Sequence, residues 1–151
     1  MKVVFLDIDG VLNSSHRWPL LESVDDIKGH KIDPLAVAQL NKIAAGCSVV
    51  VSSTWRILFT PNELREHLLR FGLDSTIPFI DSTAVGGRSP RGHKIKTWLE
   101  AHPEVTAFVV LDDSNDMDGV RHRFVKTTWK FGLLDGHVEM ALRLLDKPKV
   151  I

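Results

Sequence analysis

Three apolar runs in this chain end on acids or hydroxyls. Val3–Leu6 leads into Asp7-Ile8-Asp9-Gly10, Cys47–Val51 into Ser52-Ser53, and Thr106–Leu111 into Asp112-Asp113. Asp7 and Asp9 stand two apart on an extended segment, so their carboxylates can share one side. Gly10 permits the sharp turn that leaves both at a rim. Carboxylates gathered in this way repel one another unless a proton or a cation neutralises them. An all-oxygen set suits a hard ion, and Mg²⁺ with several retained waters fits better than Zn²⁺. The seven histidines include no pair at zinc-site spacing, and the one cysteine excludes a thiolate cage.

Phosphate-monoester hydrolysis needs such a set. It requires a nucleophile, cationic stabilisation of the phosphoryl oxygens and a proton donor for the leaving oxygen. Asp7, the metal and Asp9 match those three needs, and a serine with one basic side chain completes the phosphate cradle. A single Asp pair after a strand is equally a turn or a helix cap. Recurrence at several strand ends is what favours a site, because open α/β sheets bind ligands beyond the carboxyl ends of their strands.

The elements that must position these residues alternate between strand and helix, which predicts an α/β fold around a mostly parallel sheet of about five strands. Asp33-Pro34 caps a helix carrying Leu35, Leu40, Ile43 and Ala44, stopped at Gly46. Thr60-Pro61-Asn62-Glu63 has capping-box spacing ahead of Leu64, Leu68 and Phe71. Ile77–Ile80 reads as a weaker third strand. Ser89-Pro90 opens a helix with Ile95, Trp98 and Leu99 inward. Phe124–Thr127 is a fifth strand, and Asp135 caps a last helix carrying Val138, Ala141, Leu142 and Leu145. A loop or small hairpin is expected over residues 13–32.

The chain has 151 residues, 44% hydrophobic and 25% charged, the size and balance of one globular domain spanning residues 1–151. Nineteen basic and nineteen acidic residues cancel, so no global field draws in nucleic acid or an anionic membrane. No apolar run reaches membrane-spanning length, and Cys47 reads as a buried, reduced thiol. A soluble cytoplasmic protein is expected.

Asp7-Ile8-Asp9-Gly10-Val11-Leu12 resembles the DxDGTL/V signature of the haloacid dehalogenase (HAD) superfamily. Val49-Val50-Val51-Ser52 resembles its second motif. Arg91 and Lys94 lie where the third motif puts a basic residue, and Leu111-Asp112-Asp113 resembles the acidic fourth. More narrowly, DIDGVLN, SSTWR, RGHKIKTWL and VLDDSNDM are similar to the HAD domains of Swiss Army Knife RNA repair proteins. The resemblance implies a Rossmann-like fold and a Mg²⁺-dependent phosphatase. Asp7 would be the nucleophile, forming an aspartyl-phosphate and ligating the metal. Asp9 would be the acid/base and would offer its backbone carbonyl to the metal. Ser52 would bind the phosphoryl group, and Asp113, with Asp112 close behind, would complete the metal shell. Arg91 fits the third-motif spacing and is preferred, while Lys94 has the more usual residue type.

Other residues near these motifs carry blander readings. Trp55 packs under the rim or stacks on a base, Arg56 is a salt-bridge partner, Asp116 a helix cap, and His16 and His93 solvated surface. About 40 residues separate the first two motifs, an ordinary connection once its helix is counted, so no large cap is expected. The resemblance is then to capless members, whose open sites take bulky substrates, and a nucleotide or nucleic-acid end phosphate is the expected partner. Two alternatives remain: a non-catalytic phosphate- and metal-binding domain, and a response-regulator receiver. The receiver would need its phosphorylated Asp after the third strand, where only Asp81 stands.

Overall fold

The structure, a computed structural model, describes residues 1–26 and 29–151. Five strands, β1 (Lys2–Leu6), β4 (Ser48–Val51), β5 (Phe79–Ser82), β6 (Ala107–Asp112) and β7 (Phe124–Lys126), form one sheet in the order β5-β4-β1-β6-β7. Every pairing in it is parallel. Val3 to Leu6 of β1 are wholly buried, as expected for the central strand of a sheet covered on both faces. Four helices cover it: α1 (Pro34–Ala44), α2 (Pro61–Leu69), α3 (Arg91–Glu100) and α4 (Asp135–Leu145). This is the Rossmann-like α/β architecture.

The two faces of the sheet bury different sets. Val4, Leu6, Val49, Val51, Val109 and Leu111 pack with α1, α2 and α4. Val3, Phe5, Val50, Phe108 and Val110 pack with Ile95, Trp98 and Leu99 of α3. Capping follows sequence for the first two helices: Asp33 accepts the Leu35 N–H at 3.0 Å, and Thr60 and Glu63 form a reciprocal capping box. The other two differ. Pro90 offers no side-chain cap to α3, and Asp135 sits inside α4, where Leu134 N–H donates to His137 Nδ1 at 2.9 Å.

Two expected core positions face solvent. Leu35, in the first turn of α1, and Leu142, one residue past the buried Ala141, each lie about 100° round their helix from the stripe that meets the sheet. The third sheet strand runs two residues later than expected. Ile77 and Pro78 precede it, and a bulge between Val49 and Val50 shifts the pairing so that Asp81 stands opposite Val50.

Between β1 and α1 the described residues form a two-residue-per-strand antiparallel hairpin, β2 (Glu22–Ser23) with β3 (Lys31–Ile32), and short 3-10 turns. No large cap is inserted among the described residues; positions 27 and 28 of the expected loop lie outside them. No helix among the described residues is long and apolar enough to cross a membrane.

Candidate active site

The parallel register builds the site. Leu6 pairs with Val51 on one side and Leu111 on the other, so the residues that follow, Asp7, Ser52 and Asp112, form a row at the carboxyl edge. The ladder continues through them: Asp7 N–H donates to Leu111 O at 3.0 Å and Ser52 N–H to Leu6 O at 2.9 Å. Strand alternation puts the row on the face that α3 covers. The connection after β1 runs outward to β4 and the one after β6 runs outward the other way to β7, so the crevice between β1 and β6, beside Asp7, is a topological switch point.

Asp7, Asp112 and Asp113 each offer a carboxylate oxygen within 4.8 Å of the others. Arg91, in the first turn of α3, reaches two of them: its Nη1 lies 2.5 Å from Asp112 Oδ2 and 3.4 Å from Asp7 Oδ2. Asp112 is fully buried, and its other oxygen accepts the Ser114 N–H at 2.8 Å. Asp113 is partly exposed. Two glycines make the assembly possible. Gly10 has φ +78°, and a Cβ there would stand 2.2 Å from Asp113 Oδ2. At Gly92 a Cβ would stand 2.5 Å from the Asp118 carbonyl, so only glycine lets the chain after β6 approach α3. From that chain Asp116 caps the helix, its carboxylate accepting the Arg91 N–H at 3.0 Å and its carbonyl the Gly92 N–H at 2.9 Å.

Asp9 stands apart from the triad. Its Oδ1 accepts from Asn13 Nδ2 at 2.8 Å and its Oδ2 from Trp55 Nε1 at 3.2 Å. Asn13 also accepts the Gly10 N–H at 2.9 Å and donates to Lys31 O, so one side chain ties the turn, the acid and the β2–β3 hairpin together. Trp55 is buried, packed edge-on to His30 and tilted against Phe59, which settles it as a packing residue with a polar tip.

Charge inside the site is unbalanced. Burial, then the neighbouring Asp112 charge, push the Asp7 carboxyl up to about 8 despite Arg91 beside it. Burial and Asp112 likewise raise Asp113. Burial pulls the Arg91 guanidinium down, but Asp7 and Asp112 more than offset this and its pKa rises. Three acids against one guanidinium, all oxygen donors, fit a hard divalent cation, which would neutralise the surplus.

The remaining candidates are distributed around this centre. Ser52 is fully buried and its hydroxyl has no partner among the described residues. The Ser53 hydroxyl is committed to a local cap, accepting the Trp55 N–H at 3.2 Å. Lys94 lies one helical turn beyond Arg91 and lines a separate concavity with Ala84, Gly86, Ser89 and Thr97. Arg56 pairs with no acid among the described residues; its guanidinium donates to main-chain carbonyls. His16 and His93 are exposed. Sequence reading missed Asn13 as a partner of Asp9, and gave Trp55 packing or base stacking but not its hydrogen bond to Asp9. Asn13 lies four residues past Asp9, a spacing that could have flagged it; the Trp55 contact spans 46 residues and left no local signal.

The profile of the family described as the HAD domain in Swiss Army Knife RNA repair proteins matches residues 3–138. No curated protein and no solved structure matches the chain.

Proposed function

Because the chain belongs to the HAD domains found in Swiss Army Knife RNA repair proteins, we propose that it is a Mg²⁺-dependent phosphomonoester hydrolase. The observation that carries this reading is the Asp7–Asp112–Asp113 triad facing Arg91, with a second acid, Asp9, held apart by neutral donors. Asp7, Asp112 and Asp113, with the Asp9 carbonyl, would hold Mg²⁺. When bound, the ion supplies positive charge that neutralises the acids and the phosphoryl oxygens.

A carboxylate oxygen of Asp7 attacks phosphorus as the ester P–O bond breaks, forming an aspartyl-phosphate. Asp9 gives its proton to the departing oxygen, then takes one from the water that attacks the same phosphorus and frees Asp7. Ser52 donates its hydroxyl to a phosphoryl oxygen. Arg91 keeps the Asp7 and Asp112 carboxylates oriented and adds positive charge where oxygen charge builds. Of the two third-motif candidates we assign this role to Arg91, which touches both acids. The receiver reading has less support: Asp81 accepts from Trp98 Nε1 at 2.6 Å and from Ser82 N–H at 2.8 Å, leaving it committed to structure.

A nucleotide or nucleic-acid end is the substrate we favour, on account of an aromatic ridge beside the site. Ser15 and His16 N–H donate to Trp129 and Lys130 carbonyls, bringing Trp18 and Trp129 to a ring separation of 5.6 Å. Lys31 Nζ lies 5.3 Å from the Trp18 ring, and Trp129 is 45% exposed. Thr127 anchors the ridge to the catalytic turn by donating to Gly10 O at 2.6 Å. Base stacking on such aromatics contributes about 1–3 kcal/mol per base. A buried, unpaired Cys47 accords with a cytoplasmic setting.

The test is turnover of p-nitrophenyl phosphate, nucleoside monophosphates and end-phosphorylated oligonucleotides, with and without Mg²⁺, by the wild type and Asp7→Asn. Mg²⁺-dependent release of phosphate, abolished by the substitution, is expected. No release from any of them would overturn the hydrolase reading. Release with no preference for nucleotides over alkyl phosphates would overturn the substrate.

A further inference from the structure

Three of the buried polar atoms that lack a partner among the described residues belong to neighbouring residues at the exits of β4 and β5: Ser52 Oγ, Thr83 Oγ1 and Arg56 Nε. Thr83 continues the row of site residues by one strand. Val51 pairs with Ser82, and Thr83 N–H donates to Val51 O at 3.0 Å, so Thr83 stands beside Ser52 at the exit of β5. Asp81, two residues earlier, meets Trp98 of α3, which puts the Thr83 side chain on the same face as Ser52 and Asp7. Both hydroxyl residues are almost wholly buried, at 0% and 1% exposure.

Arg56 bridges the same two exits. Its Nη1 donates to Ser52 O at 3.2 Å and Ser53 O at 2.6 Å, and its Nη2 to Ala84 O at 3.2 Å. Burial, then the nearby Arg91 charge, lower its pKa, and the Asp7 charge offsets this only in part, so no carboxylate pairs with this guanidinium among the described residues. Carbonyl oxygens occupy part of its fork and leave Nε without an acceptor. Native structures rarely leave several buried donors unpaired side by side, and a catalytic role or a bound ion is among the reasons when they do. Two hydroxyls and a guanidinium N–H can all donate at once to an oxyanion, whose several lone pairs and negative charge suit such a set.

The scissile phosphate does not account for this set. Adjacent strands are about 4.8 Å apart, which puts Thr83 roughly 10 Å from Asp7 across the sheet, whereas a phosphorus under attack lies about 3–3.5 Å from the Asp7 oxygen. Ser52 stands between and can serve both positions. We propose that Thr83 and Arg56, with Ser52 shared, form a second oxyanion subsite that takes a phosphate neighbouring the scissile one. The preferred substrate is then an end carrying two phosphates, such as a strand terminus whose next phosphodiester supplies the second anion, rather than a simple monoester. This rests on the proposal that a phosphate binds at Asp7.

The experiment is calorimetric titration of the Asp7→Asn protein, with Mg²⁺ present, using adenosine monophosphate and adenosine 3′,5′-bisphosphate. The bisphosphate is expected to bind at least about tenfold more tightly, the order of one charge-assisted hydrogen bond. Thr83→Val, which removes the hydroxyl at nearly constant volume, is expected to bring the two affinities within about twofold of each other. Arg56→Gln should act in the same direction, but it also removes three carbonyl contacts, so Thr83→Val decides. Equal binding of the two ligands, or a preference that survives Thr83→Val, overturns the second subsite and leaves the hydrolase intact. Binding of neither ligand, to this protein or to the wild type, overturns both.

Discussion

The Trp55 indole N–H points at Asp9, with Nε1 3.2 Å from Oδ2, and Asn13 donates to the other oxygen. The proposed acid/base is therefore oriented by two neutral donors, one from the motif's own turn and one from beyond β4. Trp55→Phe keeps an aromatic ring in the packing and deletes the N–H together with part of the indole's bulk. We expect turnover of a nucleoside phosphate, a poor leaving group that needs the proton, to fall about tenfold, the scale of one hydrogen bond to a carboxylate. Turnover of p-nitrophenyl phosphate, whose leaving group needs little help, should fall less. An equal loss on both substrates would mean that Trp55 acts through packing alone.

Arg91 and Lys94 are separated in space despite being three residues apart. Arg91 touches Asp112 and Asp7, while Lys94 faces a different concavity. A lysine at 91 would put a compact point charge in place of the planar guanidinium whose Nη1 meets both acids. Arg91→Lys is expected to lower kcat/KM by about a hundredfold, as loss of one preorganised donor does. Lys94→Ala should stay within about twofold of wild type in the same assay. The reverse ranking would return the role to Lys94.

Gly10 faces two constraints at once, a φ of +78° and the Asp113 carboxylate where a Cβ would go. A left-handed backbone at alanine costs about 1–2 kcal/mol, and displacing Asp113 adds to that. Gly10→Ala should lower Tm by at least about 3 °C and weaken Mg²⁺ binding by tenfold or more. Thermal melts and a metal titration measure both. Wild-type values in both would show that Asp113 can move aside without loss, and so is no part of the metal shell.

Asp7 links stability to pH. In the unfolded chain its carboxyl loses its proton near ~4, but in the metal-free fold it holds the proton up to about 8. Between those values the folded state binds more protons, so this group's contribution to stability falls as pH rises and is fully lost above about 8. The expected result is a Tm difference, Asp7→Asn minus wild type, that grows as pH is raised from about 5 to about 9 without metal. Adding Mg²⁺ should shrink the difference by stabilising the wild type. A difference that shrinks with pH in metal-free buffer would contradict the burial and charge crowding described at Asp7.

Much of the framework was legible because its signals are local. Val3–Leu6 ending in Asp7, and Thr106–Leu111 ending in Asp112, announce buried parallel strands that deliver acids to one edge. The Asp33 cap and the Thr60–Glu63 box depend on neighbours within three residues, and both formed. The strand before Thr83 was harder. Its apolar residues suggested 77–80, but pairing with β4 across a bulge moved it to Phe79–Ser82. That shift of two hid Thr83, which then fell outside the strand end where a site residue would be sought.

From its sequence alone, then, this protein's family and the order of its acidic and hydroxyl motifs were determined, because an apolar run and the polar residue that ends it are contiguous. Tertiary structure alone decided which side chains meet. Sheet register put Asp7, Ser52 and Thr83 in one row, and the close approach at Gly92 aimed Arg91 rather than Lys94 at the acids. The Trp55 donor reached Asp9 from 46 residues away. These contacts depend on how distant segments align, and spacing along the chain carries no record of that alignment.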